Sequence, residues 1–266
     1  MDVTVTGLVL GALVGLVMGL TGAGGGILAV PLLVFGLHLT VAEAGPIGLL
    51  AVGISAAVGA MLGLKAGIVR YRAVLLMAFS GVLMAPPGAW LSQRLDARLM
   101  SVLFASVLGW VAFKTFREIA ARRPAADAER APPCIRDNRS GRFVWTSRCA
   151  AVLTTSGAVA GVLSGLLGVG GGFVMVPALQ RYTDLAAQSV IATSLAVISL
   201  VSLTGVAASL YAGNLDPGVA LPFAAGSVLG MGMGSMLSSR LPQKYLKLAF
   251  GAICLVVAVG MILKSL

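Results

Sequence analysis

The chain has 266 residues, of which 58% are hydrophobic and only 11% charged, with a mean hydropathy of +1.00. A soluble domain of this length carries about a quarter charged residues, so water is excluded as the main solvent. The net charge of +10 does not indicate nucleic acid, because the basic residues fall between apolar stretches and near their ends, where membrane topology accounts for them.

The first apolar segment, Gly7 to Leu37, is interrupted by glycines, and no Lys or Arg precedes it. More apolar segments follow it, so it is expected to be structural rather than a secretory signal. Three crossings are predicted next, over Ala44 to Leu64, Ala73 to Leu91 and Leu99 to Phe116. A basic, proline-containing loop spans Arg117 to Arg148. The pattern then recurs: a glycine-broken segment from Ala151 to Tyr182, followed by crossings over Ala187 to Leu210, Val219 to Leu237 and Leu246 to Leu263. The fold class expected is an all-α polytopic membrane protein of two homologous repeats, residues 1–119 and 149–266, joined by a loop at 120–148.

The repeat is exact in register. An offset of 146 residues aligns the stretch from Gly15 to Gly26 with that from Gly161 to Gly172. Without a gap it also pairs Pro31 with Pro177, Gly59 with Gly205, Gly88 with Gly234, Arg94-Leu95 with Arg240-Leu241 and Phe104 with Phe250. Similarity between greasy segments does not hold one register that far. Paired halves with a solute site at their interface are how many secondary transporters are built.

Whether the glycine segments cross or dip in and return is an open choice that the basic residues can inform. Four crossings per half divide the 19 Lys and Arg as 13 to 6 between the two faces, whereas three divide them as 16 to 3. The positive-inside rule favours the second arrangement, with central loop inside, both termini outside and the halves as inverted repeats.

Gly11, Gly15 and Gly19 recur every four residues and are expected to be packing contacts. The runs Gly22-Ala23-Gly24-Gly25-Gly26 and Gly168-Val169-Gly170-Gly171-Gly172 are too dense for helix and should break it. A break at membrane depth is tolerated where it is buried or lines a wet cavity. New helices starting at Ile27 and Phe173 would offer free N–H groups and a positive dipole end to an anion. Nucleotide binding is excluded: no Lys-Ser or Lys-Thr follows either run, and GxGxxG would require glycine at Ile27 or Phe173.

The repeated GLxGxGGGxxxVP, the Ala192-Thr193-Ser194-Leu195 of the second half and Ala-Gly at 66–67 and 212–213 resemble the sulfite exporter TauE/SafE family of membrane permeases. The resemblance covers nearly the whole chain outside the central loop. It implies transport, with export favoured, of small anions such as sulfite, sulfoacetate and other organosulfonates across a bacterial inner membrane. The Ala-Thr-Ser signature falls on the second half only; its counterpart is Pro46-Ile47-Gly48. The chain also lacks the paired pore cysteines expected of related thiosulfate-uptake proteins, which argues against thiosulfate.

The candidate solute-binding residues are therefore Thr21, Gly22, Gly24, Gly25, Gly26 and Ser55 in the first half. Gly168, Gly170, Gly171, Gly172, Thr193 and Ser194 are the candidates in the second, with Ser199 a further hydroxyl. Lys65 is expected to snorkel at a helix end, and His38 and Glu43 to be solvated in a short loop. Cys134, Cys149 and Cys254 have no CxxC or His partner, so neither a disulfide framework nor a zinc site is expected, and no metal or cofactor is. The expected partners are a small anion and the lipid bilayer, without nucleic acid. A homodimer and a coupling proton or sodium ion stay open. A membrane enzyme would require clustered His, Asp or Glu at depth, which the single His and the absence of an embedded carboxylate pair do not supply. A non-transporting membrane subunit is the remaining alternative.

Overall fold

The computed structural model describes residues 3–22, 25–120, 134, 146–211, 216–238 and 243–265. These form ten helices: α1 (Val3–Thr21), α2 (Gly26–Gly36), α3 (Val41–Lys65), α4 (Tyr71–Arg94), α5 (Ala97–Ala120), α6 (Ser147–Leu167), α7 (Gly172–Tyr182), α8 (Ala187–Tyr211), α9 (Pro217–Ser238) and α10 (Gln243–Ser265). Helix is the solution a membrane demands, since it satisfies every backbone group within one segment. Seven of them, α1, α3, α4, α5, α6, α8 and α9, are long and apolar enough to span a bilayer. Large apolar side chains such as Leu75, Phe79, Leu203 and Val256 point outward, as lipid contact requires and water would not allow in such number. The protein is a polytopic membrane protein.

Local signals set the helix ends. The Thr40 side chain accepts from the Glu43 N–H at 3.3 Å while the Glu43 carboxylate accepts from the Thr40 N–H at 2.9 Å, a capping box that starts α3. The Thr146 hydroxyl accepts from the Cys149 N–H and starts α6. Both short helices begin at glycine runs, at Gly26 and Gly172, one residue ahead of the starts expected from sequence.

Helix packing interlocks the two halves. α1 lies along α9, and α4 along α6. Glycines let these backbones touch: a Cβ on Gly11 or Gly15 would run into the carbonyls of Phe223 or Ser227, and one on Gly161 or Gly165 into those of Gly81 or Ala85. The four-residue stripe Gly11, Gly15, Gly19 is thus a packing seam. Along α1, Gly7, Gly11, Gly15 and Gly19 meet Val219, Phe223, Ser227 and Met231 in ascending order, so α1 and α9 run in the same direction. Gly157, Gly161 and Gly165 likewise meet Met77, Gly81 and Ala85, so α6 runs with α4. In contrast, Gly53, Gly59 and Gly63 meet Ser202, Leu195 and Ala192, so α3 and α8 are antiparallel and cross at the centre. Short connections at 66–70 and 95–96 reverse the chain between α3, α4 and α5.

The cysteine expectation is corrected in part. Cys134 and Cys149 form a disulfide, with Cα atoms 5.0 Å apart, while Cys254 is free and buried. Sequence spacing carried no sign of the pair because tertiary contact makes it: the Cys134 N–H donates to the Tyr182 carbonyl at 3.1 Å, next to a bridge with Thr183. This anchors a point of the central loop beside the first turn of α6 and the end of α7. The rest of that loop, 121–133 and 135–145, lies outside the described residues.

Candidate functional site

Each short helix is aimed by a glycine turn. α1 ends at Thr21, and Gly22 leaves the helix at φ +91° with its N–H still donating to the Met18 carbonyl. Gly24, a candidate from the sequence, lies outside the described residues with Ala23. Gly25 then packs on the Met18 backbone and Gly36 on the Leu10 side chain, so α2 folds back antiparallel to α1. The glycine segment therefore returns toward the side it came from.

In the second half Gly168 caps α6 at φ +69°, its N–H donating to the Ser164 carbonyl at 2.9 Å. Gly170 and Gly171 follow at φ +73° and +66°. Side chains with a Cβ disfavour this region by about 1–2 kcal/mol per residue. A Cβ on Gly171 would also stand 2.5 Å from the Ala160 carbonyl oxygen.

The two turns meet against the crossing of α3 and α8. A Cβ built on Gly26 would lie 3.0 Å from the Val169 carbonyl oxygen and 3.2 Å from Val52. One built on Gly170 would also lie 3.2 Å from Val52, and 3.1 Å from Ile198 and from Ser202 Oγ. Gly168 rests on the Gly45 backbone, and Gly22 on Ile191. Val52 is thus shared by both turns, and the starts of α2 and α7 converge beside it. Each short helix has 11 residues, enough for the first-turn amides and dipole to act on a negative group.

The hydroxyls named from the sequence sit less uniformly. Thr21 donates to the Val17 carbonyl at 2.7 Å and Ser194 to the Ile191 carbonyl at 2.8 Å, both within their own helices. Ser55 shares a 2.7 Å hydrogen bond with Ser227, tying α3 to α9. Thr193, fully buried, accepts from the Arg70 N–H at 3.2 Å, and its neighbour Ser189 donates to the Ile68 carbonyl at 2.5 Å. These contacts place the start of α8 against the α3–α4 connection, on the side of the Gly22 turn. Thr193 is nine residues before Ser202, about 13 Å along the helix, and so does not share the Gly170 turn.

Two residues that sequence reasoning missed stand out. Ser202 is fully buried, yet its Oγ has no hydrogen-bond partner. Arg70 has a buried Nε that is likewise unpaired. Ser202 faces the second turn only because α8 crosses α3 at Gly53, a tertiary fact with no local signal. Ser199, the hydroxyl weighed instead, lines an apolar groove with Ala57, Ala60 and Val74. Lys65, His38 and Glu43 are exposed, in keeping with surface roles. Among the described residues no cluster of His, Cys, Asp or Glu is placed to hold a metal.

Long apolar helices wrapped around two half-length helices whose starts meet at the core define a polytopic membrane protein of the transporter type. The family model described as sulfite exporter TauE/SafE matches residues 7–261. The chain belongs to that family. It is 31% identical over 259 residues to a probable membrane transporter protein of Xylella fastidiosa (strain 9a5c), covering 96% of this chain and 93% of that protein. It is 28% identical over 243 residues to the probable membrane transporter protein YunE of Bacillus subtilis (strain 168), covering 89% of each. No solved structure matches.

Proposed function

We propose that the chain is a secondary transporter, working as an exporter, of small oxyanions such as sulfite or a short organosulfonate like sulfoacetate. The solute is held between the starts of α2 and α7 against Val52, and is reached alternately from the two sides. The observation that carries this reading is the convergence of two helix starts on one buried point. Backbone amides and dipoles there suit a compact anion without a fixed counter-charge. Thr193, Ser194, Ser55 and Thr21 belong to this reading as flanking hydroxyls.

The helix directions support treating the halves as inverted repeats. α1, α3 and α9 run one way, whereas α4, α6 and α8 run the other, so each helix opposes its counterpart in the repeat. Lys65, Arg70, Arg72, Lys114, Arg117, Arg148 and Arg181 then gather at one end, with Arg94 and Arg98 at the other. By the positive-inside rule the crowded end is cytoplasmic in a bacterial inner membrane and both termini are periplasmic; the Cys134–Cys149 pair then faces the reducing compartment, where it is held as two adjacent thiols unless oxidised.

Purified protein in proteoliposomes is expected to carry sulfite or sulfoacetate, with cationic and neutral analogues failing to compete. Absence of solute-dependent flux for any anion in a panel of sulfite, sulfonates and carboxylates would favour a non-transporting subunit. Terminal tags should be accessible from outside intact cells and a tag near Asp127 only after permeabilisation; two cytoplasmic termini would overturn the orientation.

A further inference from the structure

Many hydroxyls along these helices are already committed. Ser80, Ser106, Thr115, Thr154, Ser156, Ser194, Thr204 and Ser209 each donate to a carbonyl three or four residues earlier in their own helix. This is the usual fate of Ser and Thr in apolar helices, where a carbonyl is the nearest acceptor. Ser202 departs from it. It is 0% exposed, and its Oγ neither returns to its own helix nor reaches another. A buried hydroxyl left unpaired costs about as much as a lost hydrogen bond, so its place calls for a partner supplied from elsewhere.

Its surroundings indicate which partner. A Cβ on Gly170 would come within 3.1 Å of Ser202 Oγ, so the hydroxyl stands over the turn that opens α7. Gly53 lies on the other side, where a Cβ would be 2.9 Å from Ser202 Cβ. The absence of side chains at both glycines leaves the hydroxyl facing backbone. The Val174 and Met175 N–H groups donate to the Gly171 carbonyl, which leaves those of Gly172 and Phe173 without an intrahelical acceptor, and an oxygen of an anion can accept from them and from a hydroxyl together. The repeat mate of Ser202 is Ala56, so the first half contributes no equivalent donor.

We propose that Ser202 is a solute-contacting, specificity-determining residue: its Oγ–H donates to an oxygen of the transported oxyanion while the start of α7 holds the charge. The inference rests on the anion-transport reading above and narrows its site. The headgroup is gripped on the α7–α8 side, with Val52 of α3 as its apolar neighbour.

The test compares wild type, Ser202→Ala and, as a control for hydroxyl loss elsewhere in α8, Thr204→Ala. Each is reconstituted, and the concentration dependence of sulfite and sulfoacetate flux is measured beside the thermal stability of the solute-free protein. Removing one charge-assisted hydrogen bond should raise the half-saturating concentration about tenfold or more in Ser202→Ala. Solute-free stability should be unchanged or higher, because no protein bond is lost, and Thr204→Ala should transport as wild type does. A wild type that transports while Ser202→Ala keeps its half-saturation overturns the inference and leaves the transport reading standing. Altered sodium dependence with unaltered anion half-saturation would assign the hydroxyl to a cation and also overturn it. A wild type indifferent to both anions overturns both.

Discussion

The two glycine turns share a sequence pattern but differ in build. The turn at Gly168 to Gly172 places three glycines at positive φ and is closed on one side by the Ala160 carbonyl. In the turn at Gly22 to Gly26, Gly22 is at positive φ and Gly25 is helical, and α2 beyond it is buried along Ile27 to Val30. The flanking helices differ in the same sense. α8 brings Thr193, Ser194 and Ser202, whereas α3 has Ile47, Gly48 and Ala56 at the equivalent places. The packing seams, by contrast, match closely: α1 on α9 and α6 on α4 use equivalent glycines. Duplication has kept the scaffold paired, whereas these three hydroxyls occur in the second half only.

If that contrast is sound, substitutions in the seams should be equally severe in both halves. Gly15→Leu and its repeat mate Gly161→Leu each force a side chain into a facing backbone carbonyl, and neither variant is expected to yield folded protein after extraction, as judged by size-exclusion chromatography. A large difference between them would show that the seams are not equivalent.

Substitutions in the turns should be unequal. Gly170→Leu must adopt positive φ and press on Ile198, Ser202 and Val52, so transport is expected to be lost while membrane insertion is retained. Gly22→Ala brings its Cβ within 2.5 Å of Ile191 Cγ1 without meeting a backbone atom as near, and costs about 1–2 kcal/mol in backbone conformation, so reduced but measurable flux is expected. Full flux in Gly170→Leu would contradict the role given to the second turn.

A smaller effect is expected at Thr193. Thr193→Val leaves the Arg70 N–H without its acceptor, which should cost about 1–3 kcal/mol in thermal stability. Ser194→Ala removes only a bond within its own helix turn and should change stability by less. Thr40→Ala, which breaks the capping box of α3, is expected to cost about 1 kcal/mol. The corresponding melting temperatures order these three directly.

Much of this architecture was legible because membranes simplify the code. Apolar length marked the crossings from Ala44 to Leu64 through Val219 to Leu237, the 146-residue offset exposed the duplication, and glycine density located both breaks within a residue of α2 and α7. The hydroxyls were harder, because a Ser or Thr in an apolar helix looks the same whether it bonds its own backbone, as Ser194 does, or faces a neighbour, as Ser202 does. Only the crossing point of α3 and α8 separates them. The Cys134–Cys149 pair was hidden for the same reason: a polar loop gives no period from which to read its return to α7.

The central claim, that an anion occupies the space where both turns meet Val52, can be tested at that residue. In a background with Cys134, Cys149 and Cys254 changed to Ser, Val52→Cys is labelled with a small methanethiosulfonate reagent while sulfoacetate is titrated. The account predicts that labelling slows as sulfoacetate rises, with half-protection at the concentration that half-saturates transport in the same variant. Labelling that is unaffected by saturating sulfoacetate, in a variant that still transports it, would place the solute elsewhere and contradict the account.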